Sequence, residues 1–367
     1  MSELPTVRWG IVATGMISSW FVEDLVISRP DAKVKHVVQA IGSSSTPKGR
    51  DFAQRYCPSS TPAIYGSYDE VYTDPDVDIV YIGTPICFHK QNCLDAIDAG
   101  KPVLCEKTFT INAKEAKEVF QRAKERQVYV AEAMWLRHRP IVQDLQRMLH
   151  RDKIIGDVFH VYSEFGLELD ISNLPDGSWY KQLQLGAGSL LDLGIYPLTW
   201  AILGLDAKSP GSSEKPNILA SQTHDGEVKV TTSVILQYPS TGRQGVITST
   251  TMATGNPDLL ARIQGTNGTV ELHGTVPSDA DAFTVYPRFW RDQTLGIVER
   301  NAGKRYDYKA VGRGYYWEAD NAALDVLAGR MESSIMPWAE TIRVLEMMDE
   351  VRRQGGTVYP QDEDRSG

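Results

Sequence analysis

The chain is poor in the residues and patterns that mark several common chemistries. Its four cysteines, Cys57, Cys87, Cys93 and Cys105, show no CxxC or Cys/His spacing, which excludes a zinc ribbon or a disulfide scaffold. Three of them sit in or beside apolar runs and read as reduced core thiols. The seven histidines (His36, His89, His138, His150, His160, His224, His273) are scattered, and none pairs with another at metal-ligand spacing, so no metal is expected. Positive charge is also scarce. With 38 Lys and Arg against 47 Asp and Glu, the formal charge is −9, which argues against nucleic acid or an anionic membrane as the main partner. A small anionic cofactor stays possible, because a few local donors can hold it. No stretch is expected to reach the ~18 apolar residues of a membrane helix. The opening MSELPTVRWG has neither a basic n-region nor an apolar h-region, so a cytoplasmic, reducing setting is the expectation.

What is present is an ordinary globular composition over 367 residues, more than one hydrophobic core usually serves. From Val7 to about Ala133, short apolar runs (Arg8–Ala13, Lys35–Ile41, Ile79–Gly83, Val103–Cys105, Val128–Ala131) alternate with amphipathic segments such as Phe88–Ala99 and Asn112–Arg126. That alternation predicts βαβ units around a parallel sheet. After a helix over Ile141–Arg151 the period changes to two, in long runs including Asp157–Leu167, Glu227–Tyr238 and Gln244–Met252. These predict a large, mostly antiparallel sheet joined by hairpins. The fold class is therefore α/β: a doubly wound Rossmann domain over residues 1–135, then an α+β domain with an open-faced sheet over 136–367. Two closing helices, about Tyr315–Met331 and Pro337–Gln354, are placed to pack back near the first domain.

The first strand runs into Gly10–Ser18 and then the helical Ser19–Ile27. This strand–turn–helix context is what a dinucleotide fingerprint requires: small residues let the backbone approach a pyrophosphate at the positive helix end. Ala13 and Ser18 replace two of the three glycines, and Gly15 keeps the central one. Ala13, Thr14, Gly15, Met16 and Ile17 are the candidate pyrophosphate contacts, although a generic tight turn has the same form. The second strand ends in Gly42–Arg50, with hydroxyls and cations but no carboxylate. An NAD enzyme usually places Asp or Glu there for the ribose 2′-hydroxyl. Ser43, Ser44, Lys48 and Arg50 instead suit a 2′-phosphate, hence NADP rather than NAD; a solvated Ser-rich loop with incidental cations reads the same.

The carboxyl ends of the next strands carry Thr84, Pro85 and His89, and then Glu106 and Lys107. Ligands bind outside such strand ends, so these five join the cofactor set; Lys107 is also a candidate to reach the reacting hydroxyl. A solvated loop-tip lysine is the alternative. Farther on, Gly186–Pro197 contains Asp192 and Tyr196, four apart and so on one helix face. A carboxylate beside a phenol offers a hydrogen-bond anchor and a proton carrier; a Tyr packed at an interface is the bland alternative. Trp135, Arg137, Trp179 and Tyr180 complete the substrate-wall candidates, although core packing accounts for such residues too.

Together, the turn at Gly10–Ser18, Gly83-Thr84-Pro85, the run Ala99–Lys107 and Gly186–Tyr196 resemble the glucose–fructose oxidoreductase/inositol dehydrogenase (Gfo/Idh/MocA) family. Glu132–Arg137 and the Asp-x-x-x-Tyr helix resemble its branch of dimeric dihydrodiol dehydrogenases and fungal NADP-dependent D-xylose dehydrogenases. The resemblance implies that Lys107 and Tyr196 are the catalytic pair and that Asp192 lines the substrate pocket. It also implies a homodimer formed through the outer face of the second sheet. Thr108 stands where the family has Pro after Glu-Lys. The implied reaction is hydride transfer from a sugar carbinol, C1 of D-xylose or a similar aldose, to nicotinamide, giving the lactone. Oxidation of a trans-dihydrodiol or reduction of a dicarbonyl or keto-sugar is the alternative on the same fold. A non-catalytic NAD(P)-binding regulator is the alternative of another class; retention of both Lys107 and Tyr196 counts against it.

Overall fold

The computed structural model describes residues 4–58, 60–206, 214–288 and 302–363. The chain divides into two compact units. The first ends at Arg139 and resumes over Val311–Ile342; the second starts at Pro140, breaks off at Ala310 and resumes at Arg343.

In the first unit, β1 (Thr6–Val12), β2 (Lys35–Gly42), β3 (Ala63–Tyr65), β4 (Ile79–Ile82), β5 (Val103–Glu106) and β6 (Val130–Ala133) form one sheet in the order β3-β2-β1-β4-β5-β6. Every pairing in it is parallel. Parallel strands need crossovers, and the helices α1 (Met16–Leu25), α2 (Thr46–Tyr56), α3 (Tyr68–Thr73), α4 (His89–Asp98) and α5 (Ala113–Arg126) supply them. With both sheet faces covered, β4, β5 and β6 are buried at every position, which is why they appear in the sequence as short continuous apolar runs. Strand order reverses on either side of β1, which opens a crevice at the carboxyl ends of β1 and β4. In the layer of helix above it, Phe21 stacks on Tyr81 with centroids 3.8 Å apart, and both rings are fully buried.

The helix α2 stands where the alternative reading had a solvated Ser-rich loop. Ser45 takes the extended conformation of an N-cap and Pro47 lies in the first turn, where its missing N–H and fixed φ are favourable. Gly49 is needed for close approach: a Cβ there would lie 2.7 Å from the Ile64 side chain on β3. The returning segment is anchored within this unit. Asp24 on α1 accepts backbone N–H groups of Arg313 and Tyr315 at 3.0 and 2.9 Å, and Asp320 on the helix Tyr316–Leu327 takes His36 at 2.9 Å and pairs with Arg29.

After the helix α6 (Pro140–Gln146), the second unit is built on β7 (Val158–Gly166), the helix α7 (Ile195–Leu205), and then β8 (Asn217–Asp225), β9 (Val228–Tyr238), β10 (Arg243–Thr250), β11 (Ala261–Gly265), β12 (Gly268–Gly274), β13 (Ala280–Pro287) and β14 (Lys304–Asp307). The sheet order is β14-β13-β12-β11-β7-β10-β9-β8. Among the described residues only β7 and β10 pair in parallel, so the sheet is mostly antiparallel. Along β9, Val228, Val230, Thr232, Val234, Leu236 and Tyr238 are buried while the intervening residues are not, the period-two pattern of a sheet with one covered face. The covering element is α7, buried at every residue. One expectation about long apolar runs is corrected here. The helical run Leu183–Leu205 is long and apolar enough to cross a membrane, but it is mostly buried within the protein. It is a core helix.

Candidate active site

A cavity of about 570 Å³ opens at the ends of β1 and β4, lined by residues including Ala13, Thr14, Gly15, Met16, Ser44, Lys48 and Pro85. The chain turns out of β1 at Ala13, whose φ is +76° and whose N–H bonds to Gly42 O at 3.0 Å. Gly15 then stands at the N-cap of α1 with no side-chain cap and no acidic residue in the first turn. The first N–H groups of a helix have no partner within it, and together with the helix dipole they attract an anion. A Cβ built on Gly15 meets nothing within 4 Å. Packing does not ask for glycine there, whereas the close approach of a phosphate to backbone does. The turn therefore fits the pyrophosphate of a dinucleotide.

The cationic end of the cavity comes from α2. Lys48, Asp51, Phe52, Arg55 and Tyr56 all line it, as helical spacing requires of one face. Lys48 donates to Ser44 Oγ at 3.2 Å. Arg50 is exposed and is not among the lining residues; Arg55, two turns after Lys48, supplies the second cation. Asp51, one residue past the carboxylate-free stretch Gly42–Arg50, also lines the cavity. Ser43 is buried and sits behind the wall, sharing a 3.1 Å hydrogen bond with Thr14 Oγ1. Ile17, Thr84, His89, Glu106 and Lys107 are likewise not lining residues of this cavity. The missed residues Arg55 and Tyr56 had one usable signal, the helix start at Ser45-Thr46-Pro47; Tyr68, on α3, had none.

The end of β5 is built from buried polar groups. Glu106 accepts the Tyr81 hydroxyl at 2.7 Å and the Lys107 backbone N–H at 3.1 Å. Burial pushes its pKa up to about 7, opposed by the Tyr81 hydrogen bond and the charge of Lys107. His89 is buried, with Nε2 2.8 Å from Thr84 O and Nδ1 3.1 Å from Thr108 O; burial pushes its pKa down. It joins the chain after β4 to the chain after β5. Thr84 is also buried, and its Oγ1 accepts from Asn92 at 3.1 Å. Lys107 is half-buried, and the peptide between it and Thr108 is cis. Two more carboxylates lie nearby in the same unit. Glu132 accepts the Thr341 hydroxyl and the Phe109 N–H at 2.8 and 3.2 Å, and burial pushes its pKa up to about 7. Glu318 is fully buried with neither carboxylate oxygen hydrogen-bonded, and burial drives its pKa well up.

In the second unit, a π-helical turn at Leu190–Gly194 carries Asp192 and runs directly into α7, whose second residue is Tyr196. Such turns are uncommon and frequent at functional sites. Tyr196 is 5% exposed and its ring lies 5.8 Å from that of Phe165 on β7. Trp179 and Tyr180 form a ring pair with centroids 4.2 Å apart. Trp135 and Arg137 are engaged within the first unit: Trp135 stacks on Tyr315 at 4.6 Å, and Arg137 pairs with the buried Glu340 at 2.6 Å. Both are 5% exposed.

Comparison with known proteins matches both units. Residues 7–134 match the oxidoreductase family with an NAD-binding Rossmann fold, and residues 142–271 match the GFO/IDH/MocA C-terminal domain. A D-xylose 1-dehydrogenase (NADP(+)) of Hypocrea jecorina is 33% identical, covering 97% of this chain and 94% of the relative. A trans-1,2-dihydrobenzene-1,2-diol dehydrogenase of Xenopus tropicalis is also 33% identical, over 96% of this chain and 99% of its own. Among solved structures, an aldose-aldose oxidoreductase from Caulobacter crescentus shares the fold with a TM-score of 0.76 at 21% identity, covering 96% of this chain and 98% of that one.

Proposed function

The chain belongs to the GFO/IDH/MocA oxidoreductase family, and we propose that it is an NADP-dependent dehydrogenase of a small aldose such as D-xylose. The uncapped start of α1, opening on a cavity that also carries Lys48 and Arg55, is the observation that carries the cofactor assignment. The substrate assignment is supported by the H. jecorina relative. Bound nicotinamide supplies the hydride acceptor, its C4. The chain's own residues manage the rest of the reaction. Oxidising the carbinol at C1 sends its hydrogen away as hydride, and the hydroxyl proton must leave with it. Tyr196, entering the step as the phenolate, takes that proton, Lys107 favours the developing alkoxide by its charge, and Asp192 anchors a neighbouring hydroxyl. The product is the lactone. Trp179 and Tyr180 offer rings to the apolar face of the sugar.

A trans-dihydrodiol is the second reading, supported by the amphibian relative. We place the enzyme in the cytoplasm, in keeping with four free thiols. We also take it as a homodimer through the outer face of the second sheet, where Leu219 and Ile235 pair across β8 and β9 at 62% and 39% exposure. The test is the reduced-nicotinamide absorbance with NADP and NAD across aldoses and dihydrodiols, on the native enzyme and on Tyr196→Phe. Reduction of NADP with D-xylose, lowered at least ~100-fold in the variant with NADP binding intact, is expected. Oxidation of dihydrodiols alone selects the second reading, and NADP binding without turnover of any substrate points to a regulator.

A further inference from the structure

The closing segment of the second unit is tied to the start of the helix that bears Asp192 and Tyr196. After the helix Trp338–Gly355, the chain passes through Thr357 and Tyr359, both buried, while Val358 between them is exposed. Three hydrogen-bond routes leave this segment. The Tyr359 hydroxyl donates to Ala187 O at 2.9 Å, a buried bond. Thr357 Oγ1 donates to Gln222 Oε1 at 2.6 Å, Gln222 Nε2 donates to Thr232 Oγ1 at 3.0 Å, and Thr232 shares a buried 3.1 Å bond with Ser189 Oγ. Gln361 Nε2 donates to Gln184 O at 3.1 Å.

All three end within Gln184–Ser189, the turn just before the π-helical segment. Gly188 in that turn has φ +140°, and a Cβ there would lie 3.1 Å from the Tyr359 hydroxyl. Its carbonyl accepts the N–H of Asp192 at 3.3 Å. Ser189 precedes the helix but does not cap it with its side chain; its hydroxyl is committed to Thr232. The segment itself is held in shape: Asp362 accepts the Tyr359 N–H at 2.8 Å, and the Arg352 guanidinium lies over the Tyr359 ring at 5.1 Å.

We infer that Thr357 and Tyr359 are positioning residues for the substrate pocket, setting the placement of Asp192 and Tyr196 by fixing the Ala187–Ser189 turn. The inference rests on the reading of Asp192 and Tyr196 as substrate-facing groups. Helix placement is the sensitive quantity: a shift of about 1 Å in a reacting group, caused from a distance, lowers rate by as much as ~100-fold. A segment used only to stabilise the unit would change folding and leave the folded enzyme's kinetic constants alone.

The experiment compares native enzyme, Tyr359→Phe, Thr357→Val, Thr357→Ser, the Tyr359→Phe/Thr357→Val double variant and Tyr196→Phe. It measures kcat and KM for the sugar per folded enzyme, NADP affinity from quenching of tryptophan fluorescence, and melting temperature. The double variant is expected to lose about tenfold in sugar kcat/KM with NADP affinity unchanged, and Thr357→Ser to retain native constants. Unchanged kcat and KM in the double variant, beside a Tyr196→Phe that has lost turnover, overturn the inference. A loss that only follows the folded fraction also overturns it. If Tyr196→Phe itself keeps native turnover, the failure lies with the parent reading.

Discussion

Glu106 holds two donors at once, the backbone N–H of Lys107 at 3.1 Å and the hydroxyl of Tyr81 at 2.7 Å. The strand end is thus tied to a ring fully buried beneath it, and Lys107 leaves the sheet from a fixed point. Replacing Glu106 by Gln turns one of these contacts to an amide NH₂, which the Lys107 N–H cannot meet and the Tyr81 hydroxyl meets only by reversing its own bond. Glu106→Gln is expected to lower kcat about tenfold, as misplacement of a reacting group does. Steady-state kinetics on the purified variant check this, and a native kcat would show that Lys107 does not depend on Glu106 for its placement.

The two faces of α2 make a paired prediction. Arg55 lines the cavity and Arg50 does not, so charge reversal at each separates cofactor recognition from bulk electrostatics. Arg55→Glu is expected to raise the KM for NADP by at least ~10-fold, the scale of a lost charge-assisted contact. Arg50→Glu on the outward face should change it by less than ~2-fold, since exposed charges are screened. Placing Asp at Ser44 should move preference towards NAD by repelling a 2′-phosphate. Ratios of kcat/KM for the two cofactors report all three, and equal effects at the two arginines would remove α2 from the recognition of NADP.

Glu318 makes stability depend on pH in the sense opposite to a salt-bridged carboxylate. Burial raises its folded-state pKa well above 4.5, and the nearby Glu106, Asp24 and Glu132 push in the same direction. Folded protein then holds a proton that the unfolded chain has released, so its contribution is whole below pH 4.5 and is progressively lost as pH rises from there. Glu318→Gln removes this dependence while keeping shape. Its melting temperature is expected to gain on the native protein between about pH 5 and about pH 7.5. A constant difference across that range in calorimetry would refute a proton held at Glu318.

The repeating strand–helix texture of the first unit is readable because its strands are buried on both faces and its helices are amphipathic. The change to period two likewise announces the second sheet. Composition and conformation part company at Ser43–Gly49, which has a loop's composition although Ser45 and Pro47 start a helix there. Without that helix there is no phase by which to separate Arg50 from Arg55. Aromatic and cationic residues pose the other difficulty. Trp135 and Arg137 have the chemistry of a sugar site, but Tyr315 and Glu340, which engage them here, come from far along the chain, and no local pattern reveals such partners. Asp192 and Tyr196 are legible as a spaced pair, whereas the π-helical turn that carries Asp192 leaves no mark in the spacing.

The imidazole of His89 bridges carbonyls on two different crossings, those of Thr84 and Thr108. Being buried, with its pKa pushed down, the neutral ring has a single N–H to give, so only one of these contacts is a hydrogen bond at a time. The chain leading into Pro85 and the chain after Lys107 therefore pack against one shared ring. Widening the cavity at Pro85, as an engineer would to admit a bulkier nicotinamide analogue, is expected to disturb the packing of His89 and with it the chain at Thr108. On the proposed role of Lys107, cofactor size and the placement of that lysine are not independent variables, and a redesign of the first has to keep the His89 ring seated to spare the second.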